Sequence, residues 1–313
     1  MSLDPSAWPE LPYRAWSDTY ATLHLWTQVV GKIRLAQTPW VNHSWHVTLY
    51  VNARGLTTTP IPYRTQAFEI QFDFHRHELE IALSDGRVKR LPLRPQPVAA
   101  FHAAVIAALA DLGISVHITE YPCEIPEAIP FSRDTVHDSY DAEYAHRFWQ
   151  VLVQADRVFK SFRARFAGKC SPVHLFWGGL DLAVTRFSGR RAPEYTGKVP
   201  GLAIEVMREA YSHEVSSAGF WPGSAAVDAS FYSYAYPTPA GFKDEPVRPA
   251  DAYFDTTLGE FLLPYAAVRL APDPDAMLLD FLQSTYEAAA RTAQWDRDAL
   301  EFSFQVPGAL QRP

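Results

Sequence analysis

The order of periodic segments constrains the fold of this 313-residue chain more than any single motif does. Residues 68–75 alternate apolar with polar side chains, and a period of two predicts a strand with one buried face. Helical spacing of apolar side chains precedes this strand over residues 17–37 and returns over residues 98–112. Strands joined by short turns and flanked by helices predict the α+β class, with mostly antiparallel sheets packed against helices.

The same order of helix, strands and helix returns in the second half of the chain. A predicted helix begins after Asp141, strands follow it, and Asp273 can cap a closing helix. A shift of 128 residues lays His46 of the first half on His174 of the second. We therefore predict two diverged halves made by an internal duplication. The alternative is that two α+β halves share these patterns by chance.

Proline-rich stretches set the predicted boundaries. The predicted parts are an N-terminal arm (1–16), a first half (17–119), a connector (120–138), a second half (139–302) with an insertion (189–228), and a tail (303–313). Further predictions are a helix N-cap at Ser17 or Asp18, strands over 45–51 and 114–118, and a helix over 202–214. A cleft between two related halves is the expected place for a ligand.

Composition restricts the class of partner and the compartment. The formal net charge is −7 and no run of Lys or Arg exceeds two residues, which argues against nucleic acid or a membrane surface as partner. The two cysteines, Cys123 and Cys170, indicate no disulfide framework. Neither a signal peptide nor an apolar run of about 18–20 residues is present, so we expect a cytoplasmic protein. The oligomeric state does not follow from the sequence.

Three arginines lie at the end of a predicted strand of the second half, Leu180–Phe187, and just after it. Arg186, Arg190 and Arg191 suit a carboxylate or phosphate, because a guanidinium offers paired donors in a fixed geometry. Glycines 178, 179 and 189 would let a ligand approach the backbone closely. The alternative is a solvated basic loop that acidic neighbours, Asp181 among them, balance.

Titratable and aromatic side chains near these arginines complete a candidate site. The catalytic candidates are His174, His213, Glu214 and Cys170. The other ligand-binding candidates are Lys169, Trp177, Tyr211, Trp221 and His46. The alternatives are histidines bonded to backbone, a buried apolar cysteine and a helix end that packs in the core. His43, His46, His174 and His213 leave a histidine-liganded metal enzyme as another hypothesis, although we assign no metal and no cofactor.

Several segments carry a resemblance to a known family. They are Gly168–His174, Asp181–Arg191, Glu209–Gly223, Asp18–His24 and Val41–His43. The chain resembles an uncharacterised bacterial family that is catalogued as a domain of unknown function, and the resemblance covers nearly the whole chain. It implies no activity, cofactor or catalytic residue.

The sequence thus predicts a protein that binds a small anionic organic molecule in a cleft near the junction of its halves. The histidines and Glu214 would be available for acid/base catalysis, and whether the protein is an enzyme stays open. The alternatives are a non-catalytic interaction module and the histidine-liganded metal enzyme.

Overall fold

The computed structural model describes residues 7–302 of the chain. Within them it contains seven α-helices and two antiparallel sheets of six strands each, which confirms the predicted α+β class. The predicted tail and the first six residues of the predicted arm lie outside the described residues. No helix of the described part combines the length and apolar character needed to cross a membrane.

The first half consists of two helices and the first sheet. Its elements are α1 (Tyr13–Gln37), β1 (Tyr50–Val51), β2 (Gly55–Thr57), β3 (Ile61–Tyr63), β4 (Gln66–Asp73), β5 (Glu78–Leu83), β6 (Val88–Pro92) and α2 (Val98–Asp111). The strand order is β1-β2-β4-β5-β6, with β3 beside β4. Gly113 follows α2 with φ +81°, the left-handed conformation expected at a helix end.

The second half consists of five helices and the second sheet. Its elements are α3 (Ala142–Arg163), β7 (His174–Phe176), β8 (Asp181–Arg191), α4 (Ile204–Ala210), β9 (His213–Gly223), β10 (Asp228–Tyr236), β11 (Tyr253–Asp255), β12 (Glu260–Pro264), α5 (Tyr265–Leu270), α6 (Pro274–Thr292) and α7 (Arg297–Leu300). The strand order is β11-β12-β10-β9-β8-β7. Asp141 and Asp273 cap α3 and α6 as predicted.

Helices cover one face of the second sheet and leave the other for a cavity. Helices α3, α5 and α6 pack against β8, β9 and β10, where Leu182 and Val184 of β8 are fully buried. Successive residues of a strand point to opposite faces, so Asp181, Ala183 and Thr185 point away from these helices. The two halves join at Leu49 and Leu175, whose backbones exchange hydrogen bonds of 2.9 and 2.8 Å.

Three predicted features of the first half differ from the structure. Helix α1 begins at Tyr13 after Pro12, so neither Ser17 nor Asp18 is its N-cap. The strand predicted over 45–51 shrinks to β1, because the 3-10 helix Asn42–Ser44, with His43 at φ 59°, continues as a turn through Trp45 and His46. Residues 114–118 form no strand.

The predicted insertion also contains a strand of the sheet. The helix predicted over 202–214 ends at Ala210, and β9 begins at His213. Because β9 lies between β8 and β10, only the segment that links β8 to β9 stands outside the sheet. Each half has a helix, a six-stranded sheet and a closing helix, and their origin by duplication remains a prediction.

Candidate functional site

A cavity of about 460 Å³ lies on the uncovered face of the second sheet. Its floor consists of alternating residues of three neighbouring strands, β8, β9 and β10. They are Asp181, Ala183, Thr185, Phe187, Val215, Ser217, Trp221, Tyr232 and Tyr234. The first half contributes the chain around Trp45, and the segment that links β8 to β9, residues 192–212, lies across the cavity. This cavity is within the size range of small-molecule sites.

The covering segment, residues 192–212, is tied to the rest of the protein by several hydrogen bonds rather than by buried apolar packing of its helix. Helix α4 within it has no fully buried residue. The Glu209 carboxylate accepts hydrogen bonds of 2.8 and 2.6 Å from the backbone N–H of His43. The backbone N–H of Glu124 donates to the carbonyl of Pro200 at 2.7 Å. Apolar side chains of this segment, Val206 and Met207, face the cavity.

Aromatic rings form much of the cavity wall. Trp177 is held by a hydrogen bond of 2.7 Å from its indole N–H to the carbonyl of Val47. Tyr232 and Tyr234 stack with their ring centroids 6.2 Å apart, and Tyr211 lies 3.1 Å from Tyr234 between hydroxyl oxygens. Flat, rigid rings of this kind favour a ligand with a substantial apolar body.

Gly219 explains how Tyr232 reaches the centre of the floor. Gly219 pairs with Tyr232 across β9 and β10 and with Ala183 across β9 and β8. A Cβ atom on Gly219 would overlap the Tyr232 ring and lie 2.5 Å from the carbonyl oxygen of Leu182. Without that atom, the Tyr232 ring crosses β9 and its hydroxyl donates a hydrogen bond to the Asp181 carboxylate.

Three carboxyl groups, those of Asp181, Glu124 and Glu260, line the cavity. Burial raises the pKa of Asp181 to about 6, although the Tyr232 hydrogen bond lowers it in part. Burial and then the nearby charge of Asp181 raise the pKa of Glu124 to about 7. Burial, Asp181 and Asp255 together raise the pKa of Glu260 to about 7. These groups therefore change protonation near neutral pH, where they can act as acid, base or cation ligand.

The glycine pair before β8 makes room for these carboxylates. A Cβ atom on Gly178 would overlap the carboxylate of Glu124. A Cβ atom on Gly179 would lie 3.0 Å from Asp181 Oδ1 and 3.6 Å from Glu124 Oε2. Neither glycine has a positive φ, so glycine is required here because a larger residue would collide with the carboxylates, and not because of the backbone conformation. Glu124 is exposed to solvent and lines the cavity.

The opposite part of the wall contains a neutral histidine. Lys169 Nζ donates to His43 Nε2 at 2.6 Å, and His43 Nδ1 lies 3.1 Å from the carbonyl oxygen of Ala210. Burial and the Lys169 charge lower the pKa of His43, so its ring is neutral. Because Nε2 accepts the hydrogen bond from Lys169, Nδ1 carries the hydrogen and donates to the Ala210 carbonyl. The Lys169 ammonium lies over Trp45 and Phe187, both of which line the cavity.

Some residues predicted from sequence meet in this cavity. Trp177, Tyr211 and Trp221 line it, and Lys169 touches it through His43. His46 does not line it, and its ring packs 4.6 Å from that of Trp40 at the rim.

The three predicted arginines lie elsewhere. Arg186 is 1% exposed on the helix-covered face, with its guanidinium 3.5 Å from the ring centroid of Phe162. Arg190 is exposed and pairs with Glu214 at 2.7 Å. Arg191 is exposed near the end of the same strand. The structure therefore does not bring their guanidinium groups together around one ligand.

The predicted catalytic residues are also dispersed. His174 is fully buried beside Thr48, and burial lowers its pKa to about 3. Burial raises the pKa of Cys170 to about 11, which opposes thiolate formation. His213 lies 6.2 Å from His43 between ring centroids, outside the cavity lining. Within residues 7–302 no three His, Cys, Asp or Glu side chains are grouped so that they could hold a metal ion.

Sequence reasoning missed the carboxyl groups that line the cavity. The sequence suggests Asp181 only as a counter-charge to the arginines, although Asp181, Ala183 and Thr185 alternate with the apolar Leu182 and Val184. A strand face made of small and polar residues is a signal that this face does not enter the core. Glu124 and Glu260 come from separate loop and strand ends, and no spacing links them to Asp181.

Comparison with known proteins identifies the family. The model of a family of unknown function, DUF5996, matches residues 8–302. The chain belongs to this family. No curated protein and no solved structure matches the chain. Nearly the whole described part of this DUF5996 chain is covered, so the cavity and both sheets lie within the matched region.

Proposed function

We propose that the protein binds a small, largely apolar organic molecule in the cavity of the second sheet. The observation that carries this proposal is a cavity of about 460 Å³ with aromatic walls and a few polar groups. Apolar walls supply affinity through burial of ligand surface, and the polar groups orient the ligand. Arg186, Arg190 and Arg191 lie outside the lining, so anchoring of an anion by them is not part of this proposal.

A cavity-filling variant tests the proposal. Ala183 is 3% exposed on the cavity floor, so Ala183→Phe should occupy the space that a ligand needs. The neutral fluorophore N-phenyl-1-naphthylamine should bind the natural protein saturably and bind Ala183→Phe at least about tenfold more weakly. Ala103→Phe, on the exposed face of α2, is the matched control and should bind as the natural protein does.

Circular dichroism of both variants separates loss of binding from loss of fold. Equal binding by the natural protein and a folded Ala183→Phe variant would contradict the proposal.

The cavity rim favours a second candidate, the non-catalytic interaction module. Leu35 and Trp40 expose 39% and 54% of their surface there. A partner that binds only this rim would not need the space beneath it. Ala183→Phe would then leave partner binding unchanged, whereas Trp40→Ala would weaken it.

A further inference from the structure

The polar end of the cavity contains acids without cationic partners. Within residues 7–302, no ion pair joins Asp181, Glu124 or Glu260 to a lysine, arginine or histidine. The side-chain oxygens of Glu124 and Glu260 likewise have no hydrogen-bond donor in this part of the chain. Asp181 and Glu260 are half-buried, and an ionised carboxylate that is partly removed from water without a cationic partner is costly, so a cationic ligand would be favoured here.

Aromatic faces stand beside these carboxyl groups. Tyr232 is hydrogen-bonded to Asp181, and Trp177 precedes the glycine against which the Glu124 carboxylate lies. Trp221 lines the same cavity. An ammonium group is attracted both to carboxylates and to the faces of Trp and Tyr rings within about 6 Å. The cavity thus combines the two kinds of group that recognise an organic cation.

We propose that the cavity selects molecules in which a protonated amine is attached to an apolar, preferably aromatic, body. Asp181 and Glu124 bind the ammonium group, Trp177 and Tyr232 flank it, and the apolar body lies against the covering segment. This inference rests on the proposed function, because it names the chemical class of molecule that the same cavity takes.

Amine binding should release protons. Other titratable groups act on the three carboxyls, and they are Tyr20 of α1, Cys123 of the connector, Tyr211 after α4, Tyr232 and Tyr234 of β10, and Asp255 of β11. Lys32 of α1 lies beside Cys123, with its ammonium 5.8 Å from the Trp177 ring centroid, and burial lowers its pKa. Burial raises the pKa values of these tyrosines and of Cys123, so they stay neutral near pH 7. The carboxyls of Asp181, Glu124 and Glu260 are therefore the groups that lose protons when an ammonium arrives.

Three probes with the same aromatic body test the class of ligand. They are 2-phenylethylamine, 2-phenylethanol and phenylacetate, which are cationic, neutral and anionic at pH 7.5. The full-length protein should bind the amine at least about tenfold more tightly than the alcohol, and phenylacetate most weakly. Calorimetry in buffers of different ionisation enthalpy should show protons released with the amine and none with the alcohol. Amine affinity should rise between pH 5.5 and 8, as the carboxyls ionise.

Two variants assign the preference to the carboxyls. Glu124→Gln and Asp181→Asn should each reduce amine affinity at least about tenfold while alcohol affinity changes less than about threefold. Glu127→Gln, on the exposed surface of the same connector, is the control and should change neither. If Asp181→Asn fails to fold, Glu124→Gln and the three-probe comparison on the natural protein still decide the question.

The outcomes separate this inference from the proposed function. Equal affinity for amine and alcohol, both lost in Ala183→Phe, would overturn the amine preference and leave the cavity as a ligand site. Preference for phenylacetate would also overturn it. Absence of binding by all three probes and by the neutral fluorophore would overturn both.

Discussion

Arg186 carries a buried charge that aromatic rings and a carbonyl stabilise. Its guanidinium lies 3.5 Å from the Phe162 ring centroid and 4.3 Å from that of Tyr286, and it donates to the carbonyl of Phe162. No ion pair joins it to another described residue. Burial lowers its pKa to about 10, which still leaves it charged at neutral pH. The sequence predicts Arg186 as a ligand for an anion, whereas its packing between rings gives it a structural role.

Replacement of Arg186 should therefore affect stability. We expect Arg186→Ala to lower the free energy of unfolding by about 2–4 kcal/mol, because it removes a large side chain from between two rings. Arg191→Ala, at an exposed position of the same strand, should change it by less than about 0.5 kcal/mol. Urea denaturation of both variants measures the difference. Equal stability of the two variants would show that the rings do not depend on the guanidinium.

Glu260 should make stability fall as pH rises. Its folded pKa, about 7, is above its unfolded value, so the folded state holds the proton more tightly. The resulting stabilisation is complete below the unfolded pKa and is lost as pH rises through about 7. Glu260→Gln should therefore raise stability at pH 8 by on the order of 1 kcal/mol, a value reduced for partial solvent access, and change it little at pH 4.

Urea denaturation at the two pH values checks this prediction, with Glu127→Gln as control. The same gain at both pH values, or in the control, would mean that ionisation of Glu260 is not the cause.

Helix α1 contains a glycine that only its neighbour explains. A Cβ atom on Gly31 would overlap the indole of Trp177. Glycine in the middle of a helix usually costs about 1 kcal/mol relative to alanine, so Gly31→Ala would stabilise an isolated helix. Here α1 approaches Trp177, which lines the cavity, so closely that alanine at position 31 should destabilise the folded protein instead.

We expect Gly31→Ala to destabilise the protein by about 1–3 kcal/mol, because the Trp177 ring must move. In a Trp177→Leu background the same substitution should cost less, since the smaller side chain leaves room. Urea denaturation of the four proteins gives the coupling energy. Additive effects would show that the indole tolerates the new methyl group where it lies.

The sequence predicts elements well where their buried face is apolar. Strand β4 and the caps of α3 and α6 are confirmed, although Gln71 and Asp73 on the predicted polar face of β4 are buried as well. The predicted helix over 202–214 takes in the first two residues of β9, and the rest of β9 is not predicted as a strand. The cavity face of β9 carries Ser217 and Gly219, where a core strand would carry large apolar residues. The site itself weakened the pattern that would have revealed its floor.

The two halves form one packed body. A single cluster of buried apolar residues extends through both, and the backbones of Leu49 and Leu175 join the sheets. Gln28 of α1 donates to the carbonyl of Cys123 at 2.9 Å, which fixes the connector that supplies Glu124. The carboxyl arrangement depends on these contacts between distant segments, so it could not be predicted from local sequence.

We therefore expect the halves to unfold together. Hydrogen exchange should show the Leu49 and Leu175 amides protected to nearly the global free energy of unfolding, because their exposure requires separation of the sheets. Amides of the covering segment should exchange at least about a hundredfold faster, since α4 has no fully buried residue. Early loss of protection in one half alone would contradict a single cooperative unit.

Helices α3, α5 and α6 pack behind the strands that form the cavity floor, and the covering segment alone lies across the cavity. We therefore expect substitutions of Val206 or Met207 to change which ligands bind while leaving the helix-backed strands undisturbed. In DUF5996 relatives we expect the covering segment between β8 and β9 to differ in sequence while the cavity floor stays similar. Replacement of this single segment of about twenty residues would then change the ligand preference of the same fold.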